Sequence, residues 1–334
     1  MQDVASKAGV SKTTVSHVIN QTRVVEPETR RRVLDAIAEL GYHPNLLARS
    51  LTTQRSGIIG MVISDSSNYF FAEMMRGVEE VLRPNNYALI VCNTNDDEDR
   101  ERHYLDLLLE KRVDGILTAA TSRRWLQLSR ADAQHTPVVH VDRSFDGMDG
   151  PFVGVDNQQA AYLGVRRLID CGHTEIGMLA GNDELLSTAR GRVAGYRQAL
   201  AEAGLSLRED WIVRSRLSIA EGRRAMRQLL DSPQPPRAVF INNNLLTLGG
   251  LLELREMGRR CPEDVAIVGF DDHPWAAVAD PPMTVVCQPA EQLGQIAAGM
   301  LLALIRHEPV LEPRVLLPCS LIVRRSSQGP RCPG

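Results

Sequence analysis

Eight short apolar runs, separated by amphipathic stretches of helix length, punctuate residues 56 to 290, and this alternation leaves few folds open. The runs are Ile58–Ile63, Tyr87–Val91, Val113–Leu117, Val138–Val141, Ile176–Leu179, Ala238–Ile241, Val265–Gly269 and Thr284–Val286. A strand apolar on both faces must be covered on both faces, so such strands alternating with helices predict βαβ units and parallel sheets. At 334 residues the chain exceeds what one ordinary core fills, and two such sheets are expected. The alternation does not say where one sheet ends and the next begins.

The N-terminal segment follows a different rule. A short helix pattern at Asp3–Ala8 runs through Gly9-Val-Ser11 into Lys12–Asn20, and a third amphipathic stretch spans about Pro27–Leu40. Gly9 supplies a turn position that tolerates positive φ, and Ser11 is placed to cap the second helix. Val15, Val18 and Ile19 recur at i, i+3 and i+4 and face inward, leaving Lys12, Thr13, Thr14, Ser16, His17 and Asn20 outside. The third helix carries acids and Pro27 at its positive end, is expected to bury Val33, Leu34, Ile37 and Leu40, and stops at Gly41. Two short helices around a Gly-containing turn form the unit that lays a recognition helix in the major groove of DNA. On that helix Lys12 can donate to guanine O6 and N7, Thr13 can pack its methyl on thymine, and His17 can donate to a guanine edge or a phosphate.

The sequence Asp3-Val-Ala, Ala8-Gly-Val-Ser, Thr14-Val-Ser-His-Val-Ile-Asn20, Glu28-Thr-Arg, Leu40-Gly-Tyr, Pro44-Asn and Ala48-Arg-Ser-Leu51 resembles the lactose/galactose repressor (LacI/GalR) family of bacterial transcription regulators. The likeness extends through most of the chain, and His17, where many members carry Arg, is similar to the purine-repressor and ribose-repressor branch. The resemblance implies a small all-α helix-turn-helix head (1–44), a hinge helix and linker (45–56) and a two-lobed, periplasmic-binding-protein-like α/β body with parallel sheets (57–323). Its lobes would cover roughly 57–158 and 159–290, with a return crossing near the C-terminus. The polar tail 324–334 is expected to fray. The DNA contacts implied are Ser11, Lys12, Thr13, Thr14, His17 and Asn20 in the head, and Ala48, Arg49 and Leu51 in the hinge. Ser11 and Arg49 would touch mostly backbone, and Leu51 would wedge between base steps in the minor groove. The seven-residue hinge is too short to hold a helix alone in water. The partner is a pseudo-palindromic double-stranded operator bound by a homodimer, with pairing of dimers into tetramers left open.

Charge divides the same way. Residues 1–55 hold eight Lys/Arg against five Asp/Glu, while the rest hold thirty against thirty-six, which places the DNA-facing end in the head. Six cysteines without metal spacing read as reduced thiols, and no metal or other cofactor is expected. Nothing resembles a signal peptide or a membrane span, so a cytoplasmic protein is expected, and the motifs of common nucleophile, zinc and nucleotide chemistry are absent. These absences weigh against the two competing classes, a sugar-binding transport component and an enzyme on a two-lobed scaffold.

Ligands of open α/β sheets bind beyond the carboxyl ends of the strands, and here those loops carry Asn68, Phe70, Phe71, Asp142, Arg143, Arg192, Asn243, Asp271 and Gln288. Carboxylates, amides and guanidinium forks can satisfy hydroxyls that both donate and accept, and aromatic rings can cover apolar C–H faces. The nine positions match the pattern that the resemblance assigns to ribose-type sugar pockets, so the expected effector is a monosaccharide, ribose-like or other. Purine or sugar-phosphate effectors are the alternative. Tyr69 stands where the family usually has Pro, and Leu217 where many members carry an aromatic. Leu186 takes the place of a basic residue used by the purine branch.

Overall fold

A computed structural model describes residues 1–20, 23–42, 55–122, 136–182 and 186–332, in two compact units, Met1–Gly57 and Ile58–Gly334. The first unit holds α1 (Gln2–Ala8), α2 (Lys12–Asn20) and α3 (Pro27–Glu39). Gly9 closes α1 at φ 63°, and Ser11 Oγ accepts the Thr14 backbone N–H at 3.0 Å. Val4, Ala5, Ala8, Val15, Val18, Val33 and Ala36 make the core, and Lys7 on α1 pairs with Glu39 on α3. Leu34 and Leu40, expected inside, are 47% and 43% exposed. The inward stripe of α3 is Val33, Ala36 and Ile37: small Ala36 lets α3 lie close to α1, and Leu40 falls past the last helical residue.

The second unit is built on two six-stranded sheets. The first contains β1 (Ile58–Ile63), β2 (Ala88–Asn93), β3 (Gly115–Thr118), β4 (Val138–Val141), β5 (Phe152–Val155) and β11 (Arg314–Leu317), in the order β11-β5-β4-β3-β1-β2 and all parallel. The second contains β6 (Ile176–Gly181), β7 (Ile212–Ser215), β8 (Ala238–Ile241), β9 (Ala266–Phe270), β10 (Thr284–Cys287) and β12 (Ser320–Ile322), in the order β12-β10-β9-β8-β6-β7, with only β12 antiparallel. Strand for strand the two orders correspond. Helices α4 (Tyr69–Leu82) and α5 (Glu98–Glu110) belong to the first sheet, and α6 (Asn157–Asp170), α7 (Ser187–Glu202), α8 (Ile219–Leu230), α9 (Asn244–Glu256) and α10 (Pro274–Val278) to the second. After β10 the chain returns, and α11 (Ala290–Ile305) packs on α4 and the first sheet. At that contact Gly77 and Gly294 leave no room for a Cβ, which would stand 2.0 Å from the Glu291 and Met74 carbonyl oxygens.

Each of the eight apolar runs overlaps a strand; of the four further strands, β5 is the apolar, fully buried Phe152-Val-Gly-Val155, which the reading of the sequence passed over, while β7, β11 and β12 carry no comparable run. Ile212-Val-Arg-Ser215 has two apolar residues, and β11 and β12 alternate exposed with half-buried positions at sheet margins.

The tail does not fray through Cys332. Arg324 donates to both carboxylate oxygens of Asp272 at 2.6 and 3.0 Å, and Ser326 and Ser327 are fully buried. Ser326 Oγ accepts from Thr284 N–H and donates to the Ile267 carbonyl, stitching β10 to β9 below the sheet. The polar composition that suggested fraying is consumed by backbone groups of these two strands. Ser326→Ala is therefore expected to leave both groups unpaired and cost about 1–3 kcal/mol in denaturant unfolding; an unchanged midpoint would show the tail to be dispensable.

Candidate functional site

The correspondence of the two sheets places Asp142, one residue past β4, and Asp271, one residue past β9, at matching positions. Both adopt left-handed backbone, at φ 61° and 65°, and each donates its N–H to the next strand, Asp142 to Val153 O at 2.8 Å and Asp271 to Val286 O at 2.7 Å. A non-glycine residue held there costs of order 1–3 kcal/mol, and the sheet bond fixes it. The two carboxylates are thereby set at the carboxyl ends of two different sheets.

Arg192 lies between them electrostatically. Its Nε donates to Asn157 Oδ1 at 2.8 Å, Nη1 donates to the Asn242 carbonyl at 2.6 Å, and its guanidinium sits 3.8 Å over the Phe270 ring. Burial pulls the Arg192 value down, and Asp271 and Asp142 pull it back up. Burial pushes Asp142 up against Arg143 and Arg192, and pushes Asp271 up to about 6 against Arg192 and a hydrogen bond from Gln288. Gln288 Nε2 donates to Asp271 Oδ1 at 2.7 Å, while its buried Oε1 has no partner among the described residues.

Asn68, Phe70, Phe71, Asp142, Arg143, Arg192, Asn243, Asp271 and Gln288 all line one inner cavity of about 80 Å³. Some of their polar atoms are already engaged. Asn243 Oδ1 caps α9 through Leu245 and Leu246 N–H, leaving its NH₂ as the group available to a ligand. Asn68 Oδ1 caps α4 through Phe70 N–H, and its amide exchanges hydrogen bonds with Asn244 of the other lobe at 2.7 and 3.3 Å. Phe70 and Phe71 belong to the core of the first lobe and also face the cavity. Arg143 donates to Asp96 and to Ser64 Oγ. Asp96, Ser64 and Thr188 also line the cavity and escaped the sequence reading. Asp96 follows β2, so the rule of strand carboxyl ends, applied to that loop, would have reached it.

The departures noted in the sequence have definite places. Tyr69 meets His273 of the other lobe in a tilted ring contact, with centroids 4.7 Å apart and planes at 42°. Leu217 borders both the inner cavity and a larger outer one. Leu186 is buried in an apolar cluster of the first lobe with Phe145 and Ala120. In the head, Lys12 and Thr13 are exposed, and Thr14 and His17 are half-buried. The Asn20 side chain and residues Ala48, Arg49 and Leu51 lie outside the described residues. Among the described residues no cluster of three or more His, Cys, Asp or Glu could hold a metal ion, and no helix is long and apolar enough to cross a membrane.

A helix-turn-helix head joined in one chain to a two-lobed α/β body with a polar interlobe cleft defines a ligand-responsive DNA-binding regulator. Residues 1–45 match the bacterial regulatory proteins, lacI family, and residues 56–325 match the periplasmic binding proteins and sugar binding domain of LacI family. The chain is 38% identical over 333 residues to the HTH-type transcriptional repressor PurR of Klebsiella pneumoniae (strain 342), covering 99% of this chain and 97% of that protein. It is 36% identical over 323 residues to the ribose operon repressor of Haemophilus influenzae, covering 95% and 97%. The structure of the Lac repressor dimer bound to operator and an anti-inducer aligns with TM-score 0.87 at 27% identity, covering 98% of each chain. The protein belongs to the LacI family, and is a DNA-binding transcriptional repressor of that family.

Asp271 supplies a test of the site by itself. Its folded-state value lies above the ordinary 3.8, so the stabilising contribution of its protonated form is complete below 3.8 and is lost as pH rises through about 6. Asp271→Asn is thus expected to be more stable than the parent at pH ~8, by about 2–3 kcal/mol, and to lose that advantage near pH ~4. A variant less stable than the parent at both pH values would contradict the burial argument.

Proposed function

We propose that the protein acts as a homodimer on a pseudo-palindromic operator, and that a small sugar, one ring seated among the nine cleft residues, sets operator affinity. The observation that carries this reading is the convergence of all nine on one cavity, with matched carboxylates from two sheets and a buried arginine between them. Folding alone disfavours that charge arrangement, which is the mark of a site kept for binding. Asp142, the second oxygen of Asp271 and Gln288 Oε1 would accept from hydroxyls, Arg192 and the Asn243 amide would donate, and Phe70 and Phe71 would cover the C–H face. Leu186, buried among apolar side chains, offers a nucleobase no polar partner, which favours a sugar over a purine. The relatives are repressors, and catalysis has no part in this reading.

A dimer is supported by the edge of the first sheet. Among the described residues strand β2 pairs only with β1, and Ile90 and Val91 on it are 40% and 38% exposed, an apolar open edge that a second copy would cover. Binding of a sugar would change the relation of the two lobes and, through the hinge segment, the spacing of the two heads on DNA. Ser11, Lys12, Thr13, Thr14, His17 and Asn20 would contact the major groove, and Ala48, Arg49 and Leu51 the minor groove.

Operator anisotropy with and without a panel of sugars tests the whole reading, which fails if no sugar alters the affinity. His17→Ala is expected to cost about 1–3 kcal/mol at one base pair and to relax preference there, whereas uniform weakening on all sequences would make His17 a phosphate contact. Val91→Lys is expected to shift sedimentation toward monomer and weaken operator binding together; a stable dimer would exclude β2 from the interface.

A further inference from the structure

Two of the six cysteines lie side by side, far apart in sequence. Cys171 caps the end of α6 and is fully buried, and the tail brings half-buried Cys332 to it. Hydrogen bonds carry the tail along this end of α6: Arg167 Nε donates to Ser327 Oγ at 3.1 Å, His173 Nε2 to the Gln328 carbonyl at 3.0 Å, and Arg331 N–H to the Cys171 carbonyl at 3.0 Å. Gly329 and Cys332 then close a tight turn, with Cys332 N–H donating to the Gly329 carbonyl at 3.0 Å. The fit leaves no slack. A Cβ on Gly329 would stand 2.6 Å from the Cys171 carbonyl oxygen, and one on Gly172 would stand 3.0 Å from Arg331 Cγ. Within this contact the Cys171 and Cys332 thiols are hydrogen-bonded to each other, whereas those of Cys261 and Cys287 donate to the Ser326 and Gln288 carbonyls.

Burial divides the roles of the two sulfurs. It pushes the Cys171 thiol up to about 12 and keeps it protonated, so half-buried Cys332 is the one that an oxidant in solution meets. Hydrogen peroxide would convert the Cys332 thiol to a sulfenic acid with release of water. The Cys171 sulfur, held in contact, then attacks the Cys332 sulfur. The S–S bond forms as the S–O bond breaks, and the Cys171 proton leaves with the hydroxyl as a second water. Both thiols are thereby oxidised and one peroxide is reduced. The bond would join the far ends of two elements that serve the cleft. Helix α6 begins at Asn157, which accepts from Arg192, and the tail begins at Arg324, which forks onto Asp272 beside Asp271.

We propose that Cys171 and Cys332 form a reversible disulfide on exposure to a peroxide, an oxidation site that pins the tail to α6. The bond closes a long loop of chain and so stabilises the second lobe, and its partly exposed side at Cys332 leaves it open to reduction by thiols.

The test treats the full-length protein with hydrogen peroxide, blocks remaining thiols with N-ethylmaleimide, and reads the digest by mass spectrometry. A linked peptide pair carrying Cys171 and Cys332 is expected, and dithiothreitol should abolish it. Oxidation should lower the unfolding equilibrium constant at least about tenfold, seen as a higher urea midpoint. Cys332→Ser, at a half-buried position, should lose both the linked pair and the shift. In Cys171→Ala the sulfenic acid has no partner, and peroxide should carry Cys332 on to sulfinic acid. Linkage of Cys332 to any other cysteine, linkage that forms only in urea-unfolded protein, or sulfinic acid at Cys332 of the parent with Cys171 still a thiol would overturn the site. A Cys171–Cys332 bond that leaves the urea midpoint unchanged would overturn the pinning of the tail.

Discussion

Burying the Arg192 guanidinium sets the terms for the rest of the cleft. A cation taken out of water in the middle of a protein must be compensated by charge and by hydrogen bonds, and the cost of leaving it unpaired is several kcal/mol on the order-of-magnitude scale. Compensation comes from both halves of the body: Asp142 from the first sheet, Asp271 from the second, the Asn157 side chain, the Asn242 carbonyl and the face of Phe270. The two aspartates can converge only because each sheet repeats the same strand order and each ends the same strand on a left-handed residue. The repeat is thus a device for bringing two carboxylates to one cation from opposite directions.

Such an arrangement is satisfied only in part. Gln288 Oε1 lies buried without a partner among the described residues, and Asp271 carries its charge only above an elevated pKa of about 6. A ligand rich in hydroxyls would complete what the chain leaves incomplete, and its free energy would be spent on holding the lobes in one relation. Contacts made by the chain alone already bridge the lobes at one side, through the Asn68–Asn244 amide pair and the tilted Tyr69–His273 ring contact. At the other, Arg190 forks onto Asp146 and Ser187 N–H donates to the Ser144 carbonyl. A ligand therefore works against, or with, an equilibrium that these polar contacts set.

Much of this was legible in the residues. Seven of the eight apolar runs marked strands buried on both faces, where hydrophobicity alone decides the pattern; the eighth marked β2, an edge strand whose Ile90 and Val91 stay exposed. Ile212–Ser215 and the two C-terminal strands were not legible, since a sheet margin needs few apolar residues. Of the nine residues that line the cavity, Asn68, Asp142, Arg143, Asn243, Asp271 and Gln288 stand just past strands, where the rule of strand carboxyl ends points, while Phe70, Phe71 and Arg192 lie inside α4 and α7 and were reached through the family resemblance. Asp96 was missed although its loop obeys the same rule, and Thr188 because a threonine in the first turn of a helix has a sufficient local explanation. The reverse error came at Ser326 and Ser327: a polar tail looks solvated until β9 and β10 are known to offer it backbone partners. Leu34 and Leu40 were misplaced because the period of a helix gives a stripe but not which side of it a small three-helix head can cover.

If the cleft and the DNA-binding head are two ends of one equilibrium, thermodynamic linkage requires their coupling to be the same seen from either end. The most direct measurement is the pair of affinities in all four combinations: operator with and without saturating sugar, and sugar with and without operator. One coupling factor is expected from both directions, about 5- to 150-fold. A sugar that binds in the cleft with a factor of unity would contradict it, by showing a site that the DNA-binding function does not read.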